Sequence, residues 1–153
     1  GTVGDTMIEV RFNCVDDACE VRRRVFMEEQ GYENEFDEID DACTHVTIYD
    51  DDELVGCARV YPEFDGSGVY FIGRIAVLPE YRSQGFGTEL VCAAEDLARE
   101  LGAEVVRLHA QEYIAGMYER CGYKRMGDVD YEDEGQPHVW MEKLVDATDD
   151  EAV

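Results

Sequence analysis

Arg74-Ile75-Ala76-Val77-Leu78-Pro79-Glu80-Tyr81-Arg82-Ser83-Gln84-Gly85-Phe86-Gly87-Thr88 is the stretch whose reading decides the fold. An apolar run from Tyr70 to Leu78 leads through its start and predicts a buried strand, which Pro79 ends because it cannot donate to a ladder. Gly85 and Gly87 follow in an Arg-x-x-Gly-x-Gly pattern. Behind them Leu90, Ala94, Leu97 and Leu101 recur on one helical face, with Glu89, Asp96 and Glu100 off it. A strand, a glycine turn and a helix start together make an anion site. The first amides of the helix lack internal partners, the macrodipole is positive there, and glycine lets the backbone approach a phosphate. Arg82 either adds charge to such a site or lies solvated. The spacing is not a P-loop, since no Gly-Lys-Ser/Thr follows. Nor is it a dinucleotide fingerprint, because Leu90 stands where the third glycine would be.

Working outward, Ile75 to Gly87 resembles the acetyl-CoA signature of the GNAT N-acetyltransferase superfamily. Met117-Tyr118-Glu119-Arg120-Cys121-Gly122-Tyr123 resembles that family's second mark, downstream at the family's spacing. The resemblance implies acetyl-CoA as co-substrate, gripped at Val77, Arg82, Ser83, Gln84, Gly85, Phe86, Gly87 and Thr88, with Ile75 and Ala76 on the strand that meets the acetyl group. It implies that Tyr118 donates a proton to the coenzyme sulfur, against the plainer reading of a packed core aromatic. Gln111 falls where relatives contact the pantetheine arm or an ordered water. Val25 to Gln30 with Asp37, Asp40 and His45, then Leu108-His109-Ala110-Gln111 and Pro137-His138, resemble the ElaA-like branch, although the branch's Pro after Glu-Gln is absent. In that branch the acidic connection from Gln30 to Cys43 borders the acceptor side of the cleft.

The activity implied is direct acetyl transfer to a primary amine of a small molecule or protein, with no metal. The other reading is a non-catalytic acyl-CoA-binding regulator. An alkylamine has a pKa near ~10 and must lose a proton before it attacks, so a base is required. His45, His109 and His138 are candidates, as are Glu28 or Glu29 acting through water, and the sequence leaves the choice open. His109 also reads as a buried structural histidine.

The remaining segments predict one α/β domain over residues 7–145, with a tag-derived or disordered start at 1–6 and an acidic tail at 146–153. Met7 to Phe12 predicts a strand, and Asp16 or Asp17 caps a helix to about Glu29. Arg22-Arg23-Arg24 on that helix reads as a solvated face, or as help for the acidic end of a coenzyme. Thr44–Tyr49 and Leu54–Tyr61 form a hairpin across Asp50 to Glu53, and Asp65-Gly66-Ser67-Gly68 turns into the central strand. Gly102 ends the long helix. A strand at Val105–Ala110, a short helix at about Ile114–Cys121, and a closing hairpin of Lys124–Val129 with Val139–Leu144 complete the order β-α-β-β-β-α-β-α-β-β. This mixed, mostly antiparallel layout is the one GNAT proteins share; there the two central parallel strands splay around the pantetheine arm.

The 153 residues carry 37 acids against 13 Lys and Arg, a net charge of −24, and only two lysines, Lys124 and Lys143. The excess is either an acidic patch for a cationic partner or salt adaptation spread over every solvated face. Its scatter along the chain favours the second. No basic stripe exists to bind nucleic acid, and no apolar run is long enough to span a bilayer or serve as a secretory leader. Cys14, Cys19, Cys43, Cys57, Cys92 and Cys121 form no Cys-x-x-Cys pair and read as small buried hydrophobes in a reducing cytoplasm. A homodimer is among the partners the sequence admits. Self-repulsion on this scale destabilises the compact state unless salt screens it. The Tm is therefore expected to rise between dilute buffer and molar KCl, and a melting curve that does not move would refute salt adaptation.

Overall fold

The computed structural model describes residues 7–145, so the expected start at 1–6 and acidic tail at 146–153 lie outside the described residues. Seven strands form one sheet: β1 (Ile8–Phe12), β2 (Thr44–Asp50), β3 (Glu53–Pro62), β4 (Val69–Val77), β5 (Val105–Gln111), β6 (Lys124–Arg125) and β7 (His138–Leu144). Their order across the sheet is β1-β2-β3-β4-β5-β7-β6, and only β4 and β5 run parallel. Helix α1 (Val15–Arg22), continued by a π-helical turn over Arg23–Glu29, covers one face of the sheet. Helices α2 (Phe86–Glu100) and α3 (Ala115–Arg120) cover the other. No helix among the described residues is long and apolar enough to cross a membrane.

The β2–β3 hairpin turns through Asp51 and Asp52, both with positive φ (50° and 71°), the geometry of a tight hairpin turn. β4 reads as a continuous apolar run because both of its faces are buried. Ile72 packs with the α2 cluster, whereas Ala76 and Leu78 pack with the α1 cluster. Residues four apart share a strand face unless a bulge intervenes. Here the pairing shifts from Arg59↔Gly73 to Cys57↔Ala76, so Ala58 opposes both Arg74 and Ile75, and Arg74 takes φ +50°. β4 pairs β5 only at Val69–Phe71; from Ile72 to Val77, a length that contains the bulge, β4 has no partner in β5. The expected splay of the central strands is thus present, with Arg74 on the freed length of β4.

Arg74 is held there from outside the sheet. Its Nε and Nη2 donate to the Glu35 carbonyl (3.2 and 3.0 Å), and its Nε lies 2.8 Å from Glu35 Oε2. Arg22 Nε donates to the same carboxylate at 2.8 Å, and both side chains are 1% exposed. A short 3₁₀ turn, Glu38–Asp41, is fixed by a capping box between Asp37 and Asp40, whose carboxylates also receive Arg22 and Arg59. Arg22 is therefore a core ion-pair partner and not part of a solvated face. Arg23 pairs with Glu20 and Glu28, and Arg24 with Glu80.

Four further expectations change. α1 begins after Cys14 with no side-chain cap; Asp17 instead accepts the Tyr49 hydroxyl at 2.6 Å. On α2 the buried stripe is Phe86, Leu90, Val91, Ala94, Glu95 and Ala98, while Leu101 is exposed beyond the helix end. Glu95 is tolerated there because Tyr123, Lys143 and Arg99 all reach its carboxylate. Of the six free cysteines only Cys57 is buried, and Cys92 is exposed. The last hairpin is shorter than expected: β6 stops at Arg125, and the chain leaves β7 and rejoins it through an isolated Asp130↔His138 bridge.

The Arg59 hydrogen bond holds Asp37 below the usual carboxylate range. Burial alone would raise Asp40, but its hydrogen bonds from Arg22, the Asp37 backbone and Arg59 bring it well below that range. Because the folded values lie below the unfolded one, these groups stabilise the fold above about pH 4, and that contribution is lost as pH falls further. Removing one member of a buried pair strands the other. Arg22→Met is expected to cost about 3–5 kcal/mol in urea unfolding, with part of the loss recovered when Glu35→Gln is added.

Candidate functional site

Divergence of β4 and β5 opens a cleft of 570 Å³. Its floor is the freed length of β4, including Ile75, Ala76 and Val77. One wall is the loop and first turn of α2, with Arg82, Ser83, Gly85, Phe86, Gly87 and Thr88. The opposite wall brings Gln111 and His109 of β5 together with Tyr118 of α3 and His138 of β7. Thirteen of the residues singled out from the sequence thus line one cavity. Gln84, Glu28 and Glu29 do not. Gln84 Nε2 turns back to the Glu80 carbonyl at 3.5 Å, Glu28 pairs with Arg23, and Glu29 pairs with Arg82 at 2.6 and 2.7 Å. His45 lies outside the cleft, bonded to the Asp40 carbonyl at 3.0 Å. Asp40, Cys43 and His45 place three ligand atoms within 4.8 Å of one another, but the Asp40 carboxylate is already bound by two arginines, which makes a poor seat for a cation.

The helix tip has the form of an anion cradle. Ser83 and Gly85 both take left-handed φ (64° and 86°), turning successive loop amides inward. Glu89 N–H is the first to bond back, to the Gly85 carbonyl at 3.2 Å, so the amides of Phe86, Gly87 and Thr88 remain available to a ligand. A Cβ on Gly85 would meet nothing within 4 Å; open space, and not packing, surrounds it. Arg82 is committed to Glu29 and to the Val77 carbonyl (3.0 Å) and clamps the loop. Arg120, which the sequence reading did not single out, also lines the cleft and forms no salt bridge among the described residues.

Two groups of opposite protonic character face this space. Burial pushes the Tyr118 hydroxyl well above the usual phenol range, so it keeps its proton at neutral pH. His138 is buried, and its Nδ1 lies 2.8 Å from the Gln136 carbonyl. A carbonyl only accepts, so Nδ1 carries the hydrogen and the neutral ring keeps its lone pair on Nε2, 3.9 Å from Asp133 Oδ2. His109 is the reverse case. Its Nε2 faces both oxygens of Asp130 at 3.0 Å, and its ring stacks between His138 (4.7 Å) and Trp140 (4.6 Å). It supports His138 as a pillar of the sheet. Glu35, Arg74, Tyr32 and Asp133 also line the cleft and were missed from sequence. The available signal was arginine inside the apolar strands, at Arg59 and Arg74.

Residues 13–123 match the sequence profile of the Acetyltransferase (GNAT) family. The chain is similar to the uncharacterised N-acetyltransferase YjcF of Bacillus subtilis (strain 168), at 36% identity over 129 residues, which are 83% of this chain and 90% of that one. The crystal structure of Escherichia coli ElaA superposes with a TM-score of 0.79 at 25% identity, covering 90% of this chain and 99% of that one. An acetyltransferase of Bacillus subtilis in complex with CoA shares the fold, with a TM-score of 0.68 at 19% identity over 92% of this chain and 99% of that one. If the helix tip holds the pyrophosphate that its sequence resemblance implies, Gly85→Glu is expected to abolish coenzyme A binding in calorimetry, by filling that space with like charge. Retained affinity would place the phosphates elsewhere.

Proposed function

Because the chain belongs to the acetyltransferase (GNAT) family and is a transferase that uses acetyl-CoA, we propose that it moves the acetyl group directly to a primary amine, with His138 as base and Tyr118 as acid. The observation that carries this reading is the pairing, across one cleft, of a buried phenol that keeps its proton and an imidazole whose free lone pair is set by a backbone carbonyl. The free amides of Phe86, Gly87 and Thr88 suit the coenzyme pyrophosphate, and the unpaired Arg120 adds charge beside them. When bound, the thioester supplies the activated acetyl group.

Asp133 draws the ammonium form of the acceptor toward the cleft, and His138 Nε2 takes a proton from it, leaving a lone pair on the amine nitrogen. The backbone of β4 beyond the bulge, freed from β5, faces the negative charge that develops on the carbonyl oxygen as the C–N bond forms. Tyr118 gives its proton to the departing sulfur as the C–S bond breaks, the second proton shed by the amine nitrogen after C–N bond formation returns through water to the phenolate, and the proton held on His138 leaves to solvent. Glu28 and Glu29 have no part in this scheme, since each is held in a surface ion pair. The free state of all six cysteines supports a reducing, cytoplasmic setting. The acid excess supports salt adaptation, because Glu35 and Glu95 are the only buried acids among the described residues.

Thiol release from acetyl-CoA in the presence of amines tests the assignment. Tyr118→Phe is expected to lower kcat by about 10²-fold with the KM for acetyl-CoA nearly unmoved, and His138→Gln to lower kcat/KM by about 10²-fold with acetyl-CoA affinity unmoved in calorimetry. Unchanged turnover in Tyr118→Phe would remove the phenol from the reaction.

A further inference from the structure

A smaller hollow of 280 Å³ adjoins the cleft, walled by Gln30, Tyr32, Gln111, Tyr113, Gln136 and Pro137. The first four also line the cleft, so they form a partition between the two spaces. Gln111 Nε2 ties the partition across the open end of the sheet, donating to Gln30 Oε1 at 2.8 Å and to Tyr32 Oη at 3.0 Å. These bonds leave the Gln111 carbonyl, the Gln30 amide, the Tyr32 proton and the Gln136 side chain to meet a ligand.

Among the described residues no wall residue of the hollow is charged, in a chain that carries 37 acids. The nearby acids are committed elsewhere. Glu134 receives the backbone amides of Glu33 and Asn34, and Glu35 is bound by Arg22 and Arg74. Of the two carboxylates in the cleft wall, only Asp133 is unmatched by a guanidinium. The site therefore offers one negative group beside the base and a neutral amide-and-phenol surface beyond it. Such a surface satisfies hydroxyl and carboxamide groups, whereas a second cation would lose its hydration there with no carboxylate in exchange.

We propose that this hollow is the acceptor subsite, and that the acceptor is a primary amine on a compact, uncharged body bearing hydroxyl or carboxamide groups, as in an amino sugar or an amino-acid amide. The inference rests on the transferase reading above. Asp133 and His138 receive the amine, and the three glutamines and Tyr32 hold the body.

The test is thiol release by the full chain with acetyl-CoA and four amines: glucosamine, alaninamide, butylamine and putrescine. The expected result is a kcat/KM at least about tenfold higher for glucosamine or alaninamide than for butylamine or putrescine, and the better of the first pair identifies the source of the polar body. Gln136→Leu, on an exposed loop, is expected to raise the KM for the preferred acceptor about fivefold, with kcat changed by less than about twofold and acetyl-CoA affinity unmoved in calorimetry. Butylamine or putrescine matching the polar amines, or an unmoved KM in Gln136→Leu, would overturn the subsite and leave the transferase reading standing. Turnover of none of the four, with acetyl-CoA still bound, would overturn both.

Discussion

The grip of Glu35 on Arg74 is the contact on which the other features depend. Arg74 sits in the left-handed region in the middle of a strand, which costs on the order of 1–3 kcal/mol for a residue other than glycine. Charge-assisted bonds to the backbone and carboxylate of Glu35 offset that cost, and Glu35 in turn is tied to Arg22 of the helix that covers this face. β4 parts from β5 after three paired residues, and in the length so freed the bulge changes the face that β4 buries. The cleft lies in that gap, with Arg74 in its wall.

Charge is distributed to match. The excess acid lies on the solvated surface, while Arg22 and Arg59 are drawn into the core by a few acids on one loop. For Glu35 burial is the largest influence and raises its pKa, and the guanidinium groups of Arg74, Arg22 and Arg59 oppose it. The loop between the π-helical turn and β2 is thereby pinned against the sheet. That pinning shapes one side of the cleft, because Gln30, Tyr32 and Glu35 all line it. The peeling of the chain away from β7 between Arg125 and Asp130 has a similar consequence on the opposite side: it brings Asp130 to His109 and leaves Asp133 beside His138.

Much of the site was legible because its parts are local. The strand, glycine turn and helix start form a contiguous unit whose first amides lack partners within the helix, so their sequence and their geometry coincide. Tyr118 and Gln111 were legible only through the resemblance, since a tyrosine or glutamine at those positions has no pattern of its own. The pairing of Arg82 with Glu29 was not legible, because the two meet across 53 residues and no local pattern reports an ion pair of that separation. The basic triplet failed in the same way, with Arg22 turning inward to acids 13 and 18 residues later.

The sequence by itself determined the order of the elements, the glycine turn at the tip of α2 and the family, because periodicity, turn chemistry and contiguous motifs act over a few residues. It did not show the bulge: Arg74 interrupts the apolar run, but its partner Glu35 lies 39 residues away and no local pattern reports that contact. Which nitrogen of His109 and of His138 stays free was likewise decided only by tertiary structure. Each ring's free nitrogen is fixed by what the other nitrogen touches: Asp130 in one case, and the Gln136 carbonyl in the other. Long-range pairing also decided which of the charged side chains remain free to meet a ligand, because a charge is available only when no partner elsewhere in the fold has already claimed it.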